Sequence, residues 1–176
     1  MWKTLSTKVL YKHPRLILLE DDIEMENGVI GKYLKFDENR SCVATIICVR
    51  DDGKILVQKQ LAYPYNKKIF QFPGGGIGKD EDPEIGINRE LSEESKIKAN
   101  KVEFIGKHLL NNRRSTLMNY IYVGTDLIEC VADSEPEEEN MENLWMSEEE
   151  IDDLIRKGED VEVNMLASWT FYKLRK

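Results

Sequence analysis

The residues best suited to chemistry lie between positions 74 and 97. Three consecutive glycines, Gly74, Gly75 and Gly76, follow Phe72-Pro73. Glu81 stands six residues after Gly75, and eight residues further on the chain reads Arg89-Glu90-Leu91-Ser92-Glu93-Glu94. On a helix, positions 90, 93 and 94 are i, i+3 and i+4 neighbours, so three carboxylates crowd one patch of surface. Their repulsion destabilises an isolated helix, and a bound divalent cation would offset it. Donors that are all oxygen select Mg2+ or Mn2+ over Zn2+, and Mg2+ completes its shell with water and substrate phosphates. The glycines have no Cβ, so the backbone there can approach a ligand closely and lend a carbonyl to the metal. Arg89, four residues before Glu93, is placed to brace a carboxylate through a fork-shaped pair. Taken singly, each part has a plainer explanation: an acid-rich helix is usually a solvated face, and a triglycine is usually a loop.

A scaffold must hold these groups. Pro83 suits a first helical turn with Asp82 as its cap, and the helix should run to about Ser95 with Ile87 and Leu91 on its inner face. Residues 70–72 read as a short strand that stops at Pro73, leaving the glycines in a loop. Residues 43–49 (Val-Ala-Thr-Ile-Ile-Cys-Val) form an almost continuous apolar run, which suits a strand buried on both faces. Asp51-Asp52-Gly53 is a turn, and residues 55–60 read as the hairpin partner of that strand. Upstream, residues 8–11 and 16–19 read as strands and Asn27-Gly28 as a hairpin turn. Strands return at 102–109 and 118–123. Ser147 and Glu150 form a capping box that opens a second helix, whose stripe is Ile151, Leu154 and Ile155 and which Gly158 ends. A last helix covers 163–174, with Met165, Leu166 and Trp169 facing inward. Strands with helices between and after them predict an α/β or α+β sandwich.

The 176 residues, 41% of them hydrophobic, suffice for one domain with its own core. A net charge of -8 argues against non-specific binding to nucleic acid or to an anionic membrane. It leaves phosphorylated substrates open, because bound metal ions invert the local sign. Cys42, Cys48 and Cys130 are odd in number and show no framework spacing, which predicts reduced thiols in a cytoplasmic protein. With only His13 and His108, neither a zinc site nor a histidine-centred triad is expected. No apolar stretch reaches membrane-spanning length, and the first residues show no signal core.

The joint spacing resembles the Nudix box, G-x5-E-x7-R-E-U-x-E-E-x-G-U with U aliphatic. Gly75, Glu81, Arg89, Glu90, Leu91, Glu93, Glu94 and Ile97 stand in register. Lys96 departs from the pattern: the family has glycine there, as a left-handed helix cap, and a lysine costs about 1 kcal/mol. Gln60 to Pro64, the approach from Phe70 to Gly75, the segment 137–158 and the N-terminal part also resemble ADP-ribose pyrophosphatases.

The resemblance implies a Nudix fold: a mixed β-sheet sandwiched between α-helices, with an N-terminal β-strand extension. Residues 1–40 would be the extension, which helps form a homodimer, and 41–176 the Nudix hydrolase domain. The implied activity is Mg2+-dependent hydrolysis of a nucleoside diphosphate derivative, with ADP-ribose giving AMP and ribose 5-phosphate. Mn2+ is the alternative metal. Glu90 and Glu94 would bind the metal, with Glu93 and the Gly74 carbonyl. Arg89 would orient the glutamates, and Glu139 or Glu93 would serve as general base. Tyr63 is a candidate substrate contact, and Arg113 and Arg114, in a polar loop of an acidic chain, read either as a pair of cations aimed at phosphate or as part of a solvated loop. Ala62 stands where many ADP-ribose enzymes carry arginine, and Asn111-Asn112-Arg113-Arg114-Ser115 replaces their Ser-Pro-Gly loop. Another nucleoside diphosphate sugar, a dinucleotide, or a non-catalytic nucleotide-binding module therefore stay open.

Overall fold

The apolar run in the middle of the chain becomes the strand around which everything else is arranged. In the computed structural model, which describes residues 1–133 and 141–175, β4 (Cys42–Cys48) is buried from Ala44 to Cys48. It pairs antiparallel with β7 (Gly74–Ile77) and parallel with β9 (Met118–Glu129), and β8 (Ile97–Leu109) pairs with β9 to complete a four-stranded sheet in the order β7-β4-β9-β8. Successive side chains of a strand point to opposite faces, and β4 feeds two cores accordingly. Cys42, Ala44, Ile46 and Cys48 join Ile87 and Leu91 of helix α1 (Pro83–Ser95) on one face. Ile47 joins Ile151 of α2 (Glu148–Arg156) and Met165, Trp169 and Tyr172 of α3 (Val163–Leu174) on the other. The mixed sheet thus lies between α1 and the α2–α3 pair, as the sandwich reading requires.

A second sheet, ordered β10-β5-β6, contains β5 (Ile55–Ala62), β6 (Lys67–Gln71) and β10 (Glu142–Met146). Here the hairpin expectation fails. The turn at 51–53 forms, with Gly53 at φ 80 and its N–H donating to Arg50 O at 2.8 Å. Yet β4 and β5 share only the Val49–Ile55 bridge before the chain crosses from one sheet to the other. Ile55 and Val57 enter the α2–α3 core and Leu56 enters the α1 core, so β5 satisfies both cores only from a separate sheet. The expected glycine loop is also corrected: Gly74–Ile77 is an edge strand. Leu166 is 38% exposed rather than inward, whereas Met165 and Trp169 are buried. At Gly106 a Cβ would come within 2.5 Å of the Phe171 ring, which lets α3 lie close on β8.

The N-terminal region forms its own sheet of β1 (Lys3–His13), β2 (Leu16–Glu24) and β3 (Ile30–Asp37). Gly28, at φ 77, makes the β2–β3 turn expected of Asn27-Gly28. This sheet meets the four-stranded sheet through the 111–116 loop: Phe36 N–H donates to Arg114 O at 2.8 Å, and the Tyr33 hydroxyl to Arg113 O. All of β1 is exposed, including Trp2's neighbour strand residues Leu5, Val9, Leu10 and Tyr11, and its outer edge carries no partner strand among the described residues.

Candidate active site

Helix α1 fixes the carboxylates. The Asp82 side chain accepts from the Glu84 N–H at 2.9 Å and the Ile85 N–H at 3.4 Å, with Pro83 in the first turn. Burial of Ile87 and Leu91 sets the helix rotation, which leaves Arg89, Glu90, Glu93 and Glu94 on the flank facing β7. The helix ends at Lys96, at φ 59 and ψ 30, the left-handed cap expected where glycine is usual. Its Nζ donates to Glu93 O at 2.9 Å, so the side chain itself caps a carbonyl of the last turn.

Arg89 gathers the acids. Nε and Nη2 donate to the two oxygens of Glu81 at 2.8 and 3.1 Å, Nη2 also to Glu90 at 2.9 Å, and Nη1 to Glu93 at 2.8 Å. Glu81 accepts a further bond from Gly78 N–H at 3.1 Å. Arg89 above all, and then the Gly78 amide, hold the Glu81 carboxyl below the ordinary glutamate range against the opposing effect of burial. The carboxylates in turn push the guanidinium pKa up, Glu81 most strongly. Glu94 lies outside this fork and accepts from Gly74 N–H at 3.0 Å.

The glycines form close-fitting seats at a sheet edge. A Cβ on Gly75 would stand 2.5 Å from the Glu90 carboxyl carbon. On Gly76 it would stand 2.8 Å from the Arg40 guanidinium carbon. Adjacent strand residues face opposite ways, so Glu90 closes on one side of β7 and Arg40 on the other. Gly74 is confined by backbone instead, with Thr45 Cα 3.0 Å from its notional Cβ. Beside this edge opens a cleft of about 350 Å³, lined by Arg89, Glu90, Glu93, Gly76, Gly78, Arg40 and the turn residues Pro14 and Arg15.

The donor set fits a hard divalent cation by its chemistry. Every candidate ligand is a carboxylate or carbonyl oxygen, and the bare Gly75 Cα leaves room for the Glu90 carboxylate. Among the described residues, no three acidic, histidine or cysteine side chains converge on one point. Glu81, Glu90 and Glu93 are drawn onto Arg89 instead.

The other expected site residues lie apart from this cleft. Tyr63 begins the short 3-10 turn Tyr63–Tyr65 at the tip of the β5–β6 hairpin and is 86% exposed. Arg113 and Arg114 line a different cleft, of about 340 Å³, with Tyr33, Lys35 and Asp37 of β3. There Arg114 donates to Leu34 O at 3.1 Å and lies 5.5 Å from the Tyr33 ring centre. Glu139 falls outside the described residues. Arg15 and Arg40, which do line the carboxylate cleft, escaped the sequence reading. No periodicity or fixed spacing links them to the box; the only available signal was an arginine in a turn and another just before a buried strand.

Residues 39–168 match the model of the NUDIX domain. The chain belongs to the Nudix family. It is 32% identical over 100 residues to an ADP-ribose pyrophosphatase of Bacillus subtilis, covering 57% of this chain and 53% of that protein. It is 30% identical over 103 residues to a methanol dehydrogenase activator of Bacillus methanolicus, covering 58% of this chain and 55% of the relative. The chain thus spans about half the length of these curated relatives. A solved structure described as an ADP compounds hydrolase superposes with a TM-score of 0.84 over 98% of this chain and 92% of its own, at 20% identity, and shares the fold. The Nudix box residues are the ones that the α1 flank and the β7 edge bring together.

Proposed function

We propose that this Nudix protein hydrolyses the diphosphate of a nucleoside diphosphate derivative, most specifically ADP-ribose, to AMP and ribose 5-phosphate. The observation that carries the reading is the cluster at the α1–β7 contact, where Arg89 grips Glu81, Glu90 and Glu93 while Glu94 accepts from the Gly74 amide. Water adds to one phosphorus of the bridging diphosphate, the P–O–P bond breaks, and the nucleoside monophosphate leaves. Glu90 and Glu94 would hold Mg2+ (or Mn2+), with Glu93 and the Gly74 carbonyl contributing. The cation, when bound, neutralises phosphate charge and lowers the pKa of the attacking water. Arg89 keeps the glutamates in register, and Arg40, beside Gly76, faces the phosphates. Glu93 and Glu139 are the two candidates for the general base.

A second substrate class has its own support. Ala62 stands where many ADP-ribose enzymes carry arginine, which keeps another nucleoside diphosphate sugar or a dinucleotide open as the substrate. The net charge of -8 supports a small nucleotide over an RNA end. The three unpaired cysteines, two of them buried, support a cytoplasmic location. No helix among the described residues is long and apolar enough to cross a membrane.

We assign residues 1–40 to an extension and 41–176 to the hydrolase domain. The exposed apolar side chains and free edge of β1 support a homodimer through that extension. Light scattering tests it: a monomeric mass removes the dimer. The reaction is tested on a panel of ADP-ribose, other nucleoside diphosphate sugars, NADH and diadenosine polyphosphates with Mg2+, products being resolved by chromatography. Release of AMP from ADP-ribose well above the other rates, lost on chelation, supports the specific reading. Turnover only of other ADP compounds transfers the assignment to them, and silence throughout leaves a non-catalytic nucleotide-binding module.

A further inference from the structure

The carboxylate cleft has a wall that the Nudix box does not supply. Pro14 and Arg15 form the tip of the β1–β2 hairpin and line the same cleft as Glu90 and Glu93. The tip is held there. Asn39 Nδ2 donates to Pro14 O at 3.3 Å, and Asn39, at φ 57, has its own N–H bound to Asp37 Oδ1 at 2.7 Å. Asparagine tolerates this left-handed conformation, so one residue fastens the hairpin tip to the segment that carries Arg40. Arg15 N–H is further tied to His13 Nδ1 at 3.2 Å.

The charges in the cleft make the second wall consequential. Arg89 uses Nε, Nη1 and Nη2 on three glutamates and has little left for a ligand. Arg40 lies 3.6 Å from Glu38 and is pressed against Gly76. A diphosphate entering between them brings at least two negative charges beside Glu90 and Glu93. Guanidinium groups suit such an anion because their planar donor pairs match two phosphoryl oxygens.

We propose that Arg15 is a further substrate-binding residue of this cleft, taking a phosphoryl oxygen of the diphosphate from the N-terminal hairpin. The N-terminal sheet is then part of the substrate site and not only an assembly surface. Arg15 and Arg40 close on the phosphates from two sides, and the Asn39 latch sets the distance between them. The inference rests on the proposed action on nucleoside diphosphates.

The test separates binding from turnover. Affinity for α,β-methylene-ADP, which resists cleavage between its phosphates, is measured calorimetrically with Mg2+ for the wild type, Arg15→Ala and Arg15→Lys. Losing a charge-assisted hydrogen bond predicts roughly 10- to 100-fold weaker binding for Arg15→Ala. Arg15→Lys should recover part of it. On whichever nucleotide the wild type hydrolyses, Arg15→Ala should raise KM by a similar factor and change kcat little. Equal affinity of wild type and Arg15→Ala overturns the proposal while leaving the hydrolase reading intact. A wild type that does not bind the analogue also overturns it, and the nucleotide panel then judges the hydrolase reading separately.

Discussion

Replacing Gly75 by alanine probes the seat of Glu90 without touching any group that does chemistry. The added Cβ would lie 2.5 Å from the Glu90 carboxyl carbon and 3.0 Å from Oε1, where ordinary contact begins near 3.4 Å. The carboxylate must therefore withdraw by roughly an ångström, a misplacement of the size that costs about 10²-fold in rate. The fold should survive, since what moves is the end of a flexible side chain. Two effects on stability oppose each other. The Arg89–Glu90 bond at 2.9 Å is weakened, at a cost of about 1 kcal/mol or less at this part-exposed site. Replacing glycine lowers the entropy of the unfolded chain, a gain of about 0.4–1 kcal/mol. Net stability should change little. The assay pairs a thermal melt with kcat on the nucleotide that the wild type turns over best. Gly74→Ala is the contrasting variant: its Cβ meets the Ala44 carbonyl oxygen and Thr45 Cα, which are backbone and cannot give way, so it should fail to fold or melt far lower. A Gly75→Ala enzyme with an unchanged melt and kcat within threefold of wild type would refute the claim that Glu90 must sit against the bare strand.

Three further outcomes follow from the same geometry. Glu90→Gln keeps an acceptor for Arg89 but removes the charge, so turnover should fall by roughly 10²-fold or more, the equivalent of several kcal/mol, with circular dichroism unchanged; a folded, active variant would defeat the metal assignment. Glu81 has its folded pKa depressed, chiefly by Arg89, so its stabilisation is present above the ordinary glutamate pKa and is lost as pH falls through the lower folded value. Glu81→Gln should accordingly shrink the difference between urea-unfolding free energies at neutral pH and at a pH below the lowered folded value, and an unaltered difference would contradict the Arg89 coupling. Lys96→Gly relieves a left-handed lysine worth about 1 kcal/mol while losing the exposed bond to Glu93 O, so Tm should rise by roughly 2–4 °C; a lower Tm would mean that the Nζ cap outweighs the backbone strain.

Where the sequence was legible, local chemistry decided the structure. Asp82-Pro83 can begin a helix for reasons confined to one turn, and the left-handed cap at Lys96 was readable from the glycine it replaces. The capping box at Ser147 and Glu150 formed with both of its bonds, Ser147 N–H to Glu150 at 2.7 Å and Glu150 N–H to Ser147 at 3.2 Å. Where the reading failed, the deciding partner was distant. The turn at 51–53 was correctly seen, but whether its two strands pair depends on which cores their faces fill. The strand Glu142–Met146 shows no strong alternation and exists because Leu56 and its neighbours offer an open edge, Trp145 standing opposite Leu56. Gly74–Ile77 contradicts the low strand propensity of glycine for the same reason: β4 supplies the ladder, while Glu90 and Arg40 occupy the space that side chains would need.

This division has a consequence for the site itself. The box spacing specifies the groups that one helix and one turn can bring together, and Arg89 with its glutamates is such a set. It is silent about Arg15 and Arg40, which reach the cleft only because an N-terminal sheet is fastened beside it through Asn39 and the 111–116 loop. The acidic half of the cleft is written locally, whereas its basic half, Arg15 and Arg40, comes from positions 60 and 35 residues before Gly75, where the box begins. Chemistry common to the family therefore belongs to the legible half. Grip on the diphosphate, if Arg15 and Arg40 supply it, belongs to the half that tertiary structure alone reveals, and changes in the N-terminal hairpin should weaken nucleotide binding before they slow the cleavage of bound nucleotide.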